Sequence, residues 1–207
     1  MIRTKKELEF YIMADRMMNR GYFKPSFIQR LKNILLPDYT MQYLVAMRKC
    51  AYYSQWRGGV KYCLSRICSQ IKYNRLGLKL GFSIGADSFG YGLVIPHYGT
   101  IVVGGSNKIG NYAVLHTSTC ITAIARTIGD GLYLSTGAKL TTKDDIGNGV
   151  TIAANSVVTK GCPDGYALLA GMPAEKKADR KIWYEQENGG YLIRVLKIEK
   201  LKKTMKI

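Results

Sequence analysis

A repeat of six residues in the middle of the chain constrains the fold more than any other feature. Val103, Ile109, Leu115 and Ile121 are spaced by six. After one extra residue the series resumes with Ile128, Leu134, Leu140, Ile146, Ile152 and Val158. A period of six matches neither the helical period nor simple strand alternation. It suits a triangular coil in which each side is one short strand with an aliphatic residue pointing inward.

Glycine marks the same region. Sixteen of the 22 glycines lie between Gly81 and Gly171, where glycine can form the tight corners of such a coil. A sandwich of short strands is the alternative, but it does not need a register of six over consecutive aliphatic positions. We therefore predict a mainly β protein, a parallel β-helix over residues 81–174, with about five coils of roughly 18 residues each.

The N-terminal segment, residues 1–80, is predicted to be helical. Lys5 to Arg20 is amphipathic, and Thr4 with Glu7 has the spacing of a capping box. Two further apolar stretches, Tyr39 to Trp56 and Val60 to Leu76, are separated by Gly58-Gly59 and are also predicted to be helices.

The C-terminal extension, residues 175–207, is predicted to be basic and helical. Glu175 to Glu187 and Tyr191 to Lys203 are the two expected helices, and Asn188-Gly189-Gly190 separates them.

The net charge of +17 lies outside the repeat. Residues 1–80 carry 16 basic and 4 acidic side chains, residues 81–174 carry 5 of each, and residues 175–207 carry 10 and 5. Basic flanks can attract nucleic acid, an anionic membrane, an acidic glycan or a polyphosphorylated cofactor. We expect no nucleic-acid partner, because no recognised binding motif is present.

Other classes of protein and site are disfavoured by the composition. No apolar stretch reaches the length of a signal peptide or a membrane span, so we expect a cytoplasmic protein, with the inner face of the membrane as a further location. Five cysteines without CxxC spacing predict no metal site and mostly buried, reduced thiols. A nucleophilic Cys120 near His116 is the weaker alternative.

The only two histidines, His97 and His116, are 19 residues apart, which is one coil plus one residue. Stacked coils would place them near the same edge in adjacent layers, within one cleft. Imidazole changes its charge near neutral pH and can act as a general base. A structural role in the coil is the alternative for each of them.

Four motifs resemble the hexapeptide-repeat acyltransferases, in particular the serine acetyltransferase-like branch that includes capsular polysaccharide O-acetyltransferases. They are Ile95-Pro-His97-Tyr-Gly-Thr-Ile-Val-Val103, Lys108-Ile-Gly-Asn111, Leu115-His116 and Ala170-Gly-Met-Pro-Ala174. The resemblance covers residues 78–176. It implies a left-handed β-helix, a homotrimer, and acetyl-CoA in the groove between neighbouring β-helices. It also implies that His97 is the general base and that His116 positions the acceptor or polarises the thioester.

The same resemblance assigns residues to the acetyl-CoA site. Thr136 and Ala154 would let the pantetheine arm lie along the backbone, although packing within the coil is an equal alternative for both. Lys160 and Lys176 would meet the phosphates as point charges, and Pro173 completes the set.

Departures from the serine acetyltransferase pattern affect the predicted acceptor. Phe82 stands where those enzymes carry an aspartate upstream of the catalytic histidine, and Asp87 is half a coil from His97. We therefore predict O-acetylation of a sugar hydroxyl in surface polysaccharide biosynthesis, with the basic flanks contacting a membrane or an acidic glycan. The alternatives are a serine O-acetyltransferase of cysteine biosynthesis and a non-catalytic trimeric binding scaffold.

Overall fold

The computed structural model describes residues 2–55, 59–186 and 190–207. Four helices precede the repeat, namely α1 (Lys5–Arg20), α2 (Phe27–Leu35), α3 (Tyr39–Ser54) and α4 (Val60–Leu80). The capping box of Thr4 and Glu7 is present at the start of α1. Three of these helices were predicted individually, whereas α2 was covered only by the prediction that residues 1–80 are helical. The break at Gly58 and the predicted end of α3 at Trp56 lie outside the described residues.

Twelve strands follow within the described residues. They are β1 (Phe82–Ile84), β2 (Ile101–Val103), β3 (Lys108–Ile109), β4 (Val114–Leu115), β5 (Thr119–Ile121), β6 (Thr127–Ile128), β7 (Tyr133–Leu134), β8 (Lys139–Leu140), β9 (Thr151–Ile152), β10 (Val157–Val158), β11 (Ala167–Gly171) and β12 (Ala174–Asp179). The first sheet has the order β1-β2-β5-β8-β10, the second has β4-β7-β9-β11-β12, and the third contains β3 and β6.

Parallel pairing between successive coils produces the three sides of the solenoid. In the first sheet Ile101 pairs with Thr119, and Cys120 pairs with Lys139, so each strand lies about one coil beyond its neighbour. Single bridges such as Ile128 with Ile146 extend the third side. The prediction of a left-handed parallel β-helix is confirmed, and the five strands of the first sheet mark its five coils.

The aliphatic series forms the interior of the solenoid. Every member of the series from Val103 to Val158 is at most 4% exposed. Burial of such side chains is the main favourable term in folding. The six-residue register therefore identifies the core directly.

The predicted helix over Glu175 to Glu187 is wrong. Residues Ala174–Asp179 form β12, which pairs antiparallel with β11, and Trp183–Glu185 form one 3-10 turn. The last coil would otherwise present an unpaired strand edge, and β12 covers it. This pairing outweighs the helix propensity of Glu175 and the lysines that follow.

The final helix, α5 (Tyr191–Met205), agrees with the helix predicted over Tyr191 to Lys203. It returns to the first coils, where Glu199 accepts hydrogen bonds from the hydroxyls of Tyr91 and Tyr112. Ile198 is fully buried in the same cluster. The predicted break at Asn188-Gly189 lies outside the described residues.

The cysteines are free, but the prediction of mostly buried thiols is wrong. Cys50 is buried, Cys63 and Cys68 are exposed, and Cys120 and Cys162 are half-buried. In the described residues no group of three potential ligands could hold a metal ion. Across the same residues, no helix combines the length and apolarity that spanning a bilayer requires.

Candidate active site

The structure brings the two histidines together. Val94 and Val114 form a parallel bridge between adjacent coils, and each strand segment leads directly into one of the histidines. The ring centroids of His97 and His116 are 6.2 Å apart. The side chain of His97 is exposed, whereas His116 is half-buried.

His116 contacts the next coil through Tyr133 on β7. Its Nε2 lies 2.8 Å from the Tyr133 hydroxyl. Burial, followed by the positive charge of a protonated His97, lowers the pKa of His116. Burial raises the pKa of Tyr133, which keeps its hydroxyl protonated and able to donate. A neutral His116 that accepts this bond carries its own proton on Nδ1.

A groove begins at His116 and runs along the outer face of the second sheet, with a volume of about 700 Å³. Its floor is formed by outward-facing residues of successive coils, and the C-terminal segment overhangs it. The lining residues are Val94, Pro96, Val114, His116, Tyr133, Ser135, Thr151, Ala153, Ala154, Leu168, Arg180, Trp183, Gln186 and Tyr191. A groove that combines apolar surface with converging polar groups is typical of a small-molecule site.

Helix α1 fixes the backbone that leads into His97. Asn19 accepts a hydrogen bond from Ile95 N at 3.1 Å and donates one to Leu93 O at 2.7 Å. One turn earlier, Asp15 accepts from the N–H groups of Gly92 at 2.9 Å and Leu93 at 3.0 Å. These two side chains therefore set the course of residues 92–95.

Arg48 on α3 completes this buried network. Its Nε lies 2.8 Å from Asp15 Oδ2, and the two side chains are 1% and 0% exposed. Arg48 also donates to the carbonyls of Phe89 and Gly90 at 2.7 and 2.6 Å. None of the three side chains of this network was predicted from the sequence. A carboxylate and an amide four residues apart on the apolar face of α1 were the available signal.

Two known proteins match parts of this chain in sequence. Over 133 residues the chain is 29% identical to the serine acetyltransferase of Staphylococcus xylosus, a match that covers 59% of both chains. Over 76 residues it is 33% identical to the bifunctional protein GlmU of Stenotrophomonas maltophilia strain K279a, covering 37% of this chain and 17% of that protein. The chain thus spans less than two thirds of these relatives. No protein-family model matches it.

Solved structures share most of this fold. The serine acetyltransferase of Neisseria gonorrhoeae matches with a TM-score of 0.65 at 21% identity, over 86% of this chain and 69% of that one. A serine acetyltransferase in complex with CoA matches with a TM-score of 0.59 at 20% identity, over 82% and 67%. Soybean serine acetyltransferase complexed with serine matches with a TM-score of 0.59 at 20% identity, over 83% and 69%. At these identities the structures establish the fold.

The chain is therefore similar in sequence to a serine acetyltransferase and similar in fold to several solved ones. The residues that the resemblance assigned to acetyl-CoA are spread over this hexapeptide-repeat structure. Ala154 lines the groove, and Thr136 follows Ser135, which also lines it. The other three are exposed and lie outside the groove lining, namely Lys160, Pro173 and Lys176. The assignment of all five remains a prediction.

No acidic side chain orients His97 in the described part of this hexapeptide-repeat protein. Phe82 is buried, and its ring lies 5.0 Å from that of Tyr43 in the core. Asp87 pairs with Lys108 at 3.3 Å on another side of the coil. Among the described residues, no hydrogen-bond partner of the His97 ring is present. Its position is therefore set by the backbone that α1 holds.

Proposed function

We propose that this chain is an acetyl-CoA-dependent O-acetyltransferase. The observation that carries the proposal is the pair of imidazoles at the end of an open groove, with His116 in the groove wall and His97 facing solvent. A hydroxyl acceptor is almost fully protonated at neutral pH, so the reaction needs a base close to it.

In the proposed reaction, His97 Nε2 or Nδ1 takes the acceptor proton as the hydroxyl oxygen attacks the thioester carbonyl. The carbon–sulfur bond then breaks, the ester forms, and the CoA sulfur leaves with the proton that the imidazolium returns. His116, held by Tyr133, faces the same space and positions the acceptor or polarises the carbonyl. A preorganised N–H donor would stabilise the oxyanion.

The groove supports acetyl-CoA as the co-substrate. It passes Ser135, Ala153 and Ala154, whose small side chains leave room for a narrow chain along the sheet. The fold similarity to a serine acetyltransferase in complex with CoA, with a TM-score of 0.59, also favours this assignment. A homotrimer, in which a neighbouring β-helix closes the groove, and a cytoplasmic location are parts of the same proposal.

Serine is the acceptor that the comparisons favour. A relative and several structures with this fold are serine acetyltransferases, one of them complexed with serine. We therefore place serine before the sugar hydroxyl that the sequence motifs favoured.

One observation keeps a sugar hydroxyl as the second candidate. Among the described residues that line the groove, Arg180 could meet a carboxylate, but no aspartate or glutamate could meet the ammonium of serine. The aromatic side chains of Trp183 and Tyr191 in the same lining offer flat apolar surfaces to a sugar ring. In that case the basic flanks would contact a membrane or an acidic glycan that carries the acceptor.

The test is CoA release by the full chain with acetyl-CoA and either L-serine or a panel of sugars, followed with a thiol reagent. His97→Gln should lower kcat by about 10²–10⁴-fold with an unchanged oligomer mass. Ser106→Ala, an exposed change between β2 and β3, should leave kcat unchanged. Undiminished turnover in His97→Gln would remove the proposed base. Absence of both CoA binding and turnover would favour the trimeric scaffold.

A further inference from the structure

Helix α2 is oriented opposite to an ordinary surface helix. None of its nine residues is buried. Its large apolar side chains are exposed, namely Phe27 (75%), Ile28 (76%), Leu31 (48%), Ile34 (74%) and Leu35 (83%). On a helix these positions fall within one arc of about 120°. The apolar face of α2 therefore points into solvent.

The polar face of α2 is the one that meets the protein. Gln29 is half-buried, while its side chain accepts from Ser26 N at 2.7 Å in a second capping box. Asn33 lines a cavity of about 160 Å³ together with Asp38 and Lys72. The helix is thus well formed at its start, and its polar side is the one next to the cavity.

Charge identifies the occupant of the exposed face. Arg30 and Lys32 border the apolar arc on its two sides, where long cationic side chains can reach the headgroups of a lipid layer. Residues 21–36 and 60–80 together carry eight lysines and arginines and no acidic residue. A second copy of this surface would meet it with like charge, which disfavours self-association.

We propose that α2 docks the protein onto an anionic lipid membrane, lying in the interface with its apolar arc among the acyl chains. An apolar face bordered by cationic residues is what such interfacial helices require. Leu64, Ile67 and Ile71 on α4 are also 46–58% exposed, so a second helix of the N-terminal segment presents apolar side chains to solvent. Docking by α2 is independent of the acetyl-transfer proposal.

The test is sedimentation of the full chain with vesicles of phosphatidylcholine alone and of phosphatidylcholine mixed with phosphatidylglycerol. The wild-type protein should bind the mixed vesicles, lose binding as salt increases, and remain in solution with phosphatidylcholine alone. Ile28→Asp with Leu35→Asp should weaken partitioning at least about tenfold. Arg30→Gln with Lys32→Gln should weaken it by a smaller factor.

The matched control is Ile193→Asp with Leu196→Asp on α5, where both residues are equally accessible at 59% and 60%. It should partition like the wild-type protein. Equal binding by the α2 variant, or no binding by the wild-type chain, would overturn the proposal. A lower oligomer mass of the α2 variant without vesicles would also overturn it, because α2 would then contact a second copy. Circular dichroism and acetyl transfer to a dissolved acceptor should be unchanged in the α2 variant.

Discussion

Helices α1 and α2 both depart from the usual burial of residues, in opposite directions. Helix α1 buries Asp15 completely, whereas α2 leaves Ile28 and Leu35 more than 70% exposed. The Asp15 carboxylate accepts four hydrogen bonds, two from Arg48 and two from backbone N–H groups. The apolar side chains of α2 stay 48–83% exposed in the described chain. Buried Asp15 positions backbone inside the protein, whereas the exposed apolar face of α2 is a surface available to a partner outside the chain.

The main effect of the buried Asp15–Arg48 pair is to position the backbone, not to add stability. Desolvation of two charges offsets much of their attraction, so such a pair adds little net stability compared with well-packed apolar residues. Removing one partner is costly, however, because the other charge stays buried. Since Asp15 and Arg48 together bind four groups of residues 89–93, the pair fixes the course of this segment, which leads toward His97.

The largest expected effect comes from removing the cation of this pair. Arg48→Met should lower the free energy of unfolding by about 3–5 kcal/mol, because the Asp15 carboxylate would remain buried without its partner. Denaturation in urea measures the change. Lys49→Met removes the same charge from the adjacent exposed position and should stay within about 0.5 kcal/mol of wild type. Similar stability of the two variants would contradict the importance of the buried pair.

A smaller effect is expected at Asn19. Asn19→Ala leaves Leu93 O and Ile95 N without their partner and should cost about 1–3 kcal/mol. Because residue 95 leads into His97, kcat should also fall, while binding of CoA by calorimetry should be unchanged. Asn33→Ala, the matched amide on α2, should change neither quantity. A normal kcat in Asn19→Ala would show that α1 does not position the histidine.

The histidine pair lies at the end of the segment that α1 holds, and the pKa of His116 should respond to the loss of His97. Because burial is the larger cause of the lowered pKa of His116, His97→Gln should raise that pKa only part of the way to its ordinary value. Titration of the ring by NMR measures the change. A return to the ordinary value would mean that charge and not burial dominates.

The sign of this shift also predicts a pH dependence. A lowered pKa means that the folded state favours neutral His116. The contribution of His116 to stability is therefore fully present above its pKa in the unfolded state. It is lost as the pH falls through its lower pKa in the folded state. The His116 ring should therefore stay neutral to lower pH than an unperturbed histidine does. An NMR titration in which the His116 ring of the wild-type chain protonates at the ordinary histidine pKa would contradict this.

The smallest effect on the free energy of unfolding is expected for the exposed apolar face of α2. Ile28→Ala on α2 should change the free energy of unfolding by less than about 0.5 kcal/mol, since the side chain contacts solvent. Met18→Ala on α1, where the side chain is fully buried, should cost about 2–5 kcal/mol. Thermal unfolding of both variants makes the comparison. A large loss in Ile28→Ala would show that α2 packs against another chain.

Much of the site followed from the repeat alone. Because aliphatic residues such as Leu115 and Leu134 must point inward at every side, the register of each coil is set by local spacing. That register places His97 and His116 in neighbouring layers, and the measured 6.2 Å between their rings agrees with it. The residues that surround the pair were not predictable in this way, since Asn19 and Trp183 reach it from distant parts of the chain.

The sequence by itself determined the β-helix, its core and the proximity of the two histidines, because a period of six is a local pattern that each coil repeats. Tertiary structure decided the rest. β12 forms because an unpaired edge at the last coil needs a partner, a need that Glu175 and its neighbours do not reveal in sequence. The burial of Asp15 depends on contacts with α3 and the first coil, which exist only once the chain has folded.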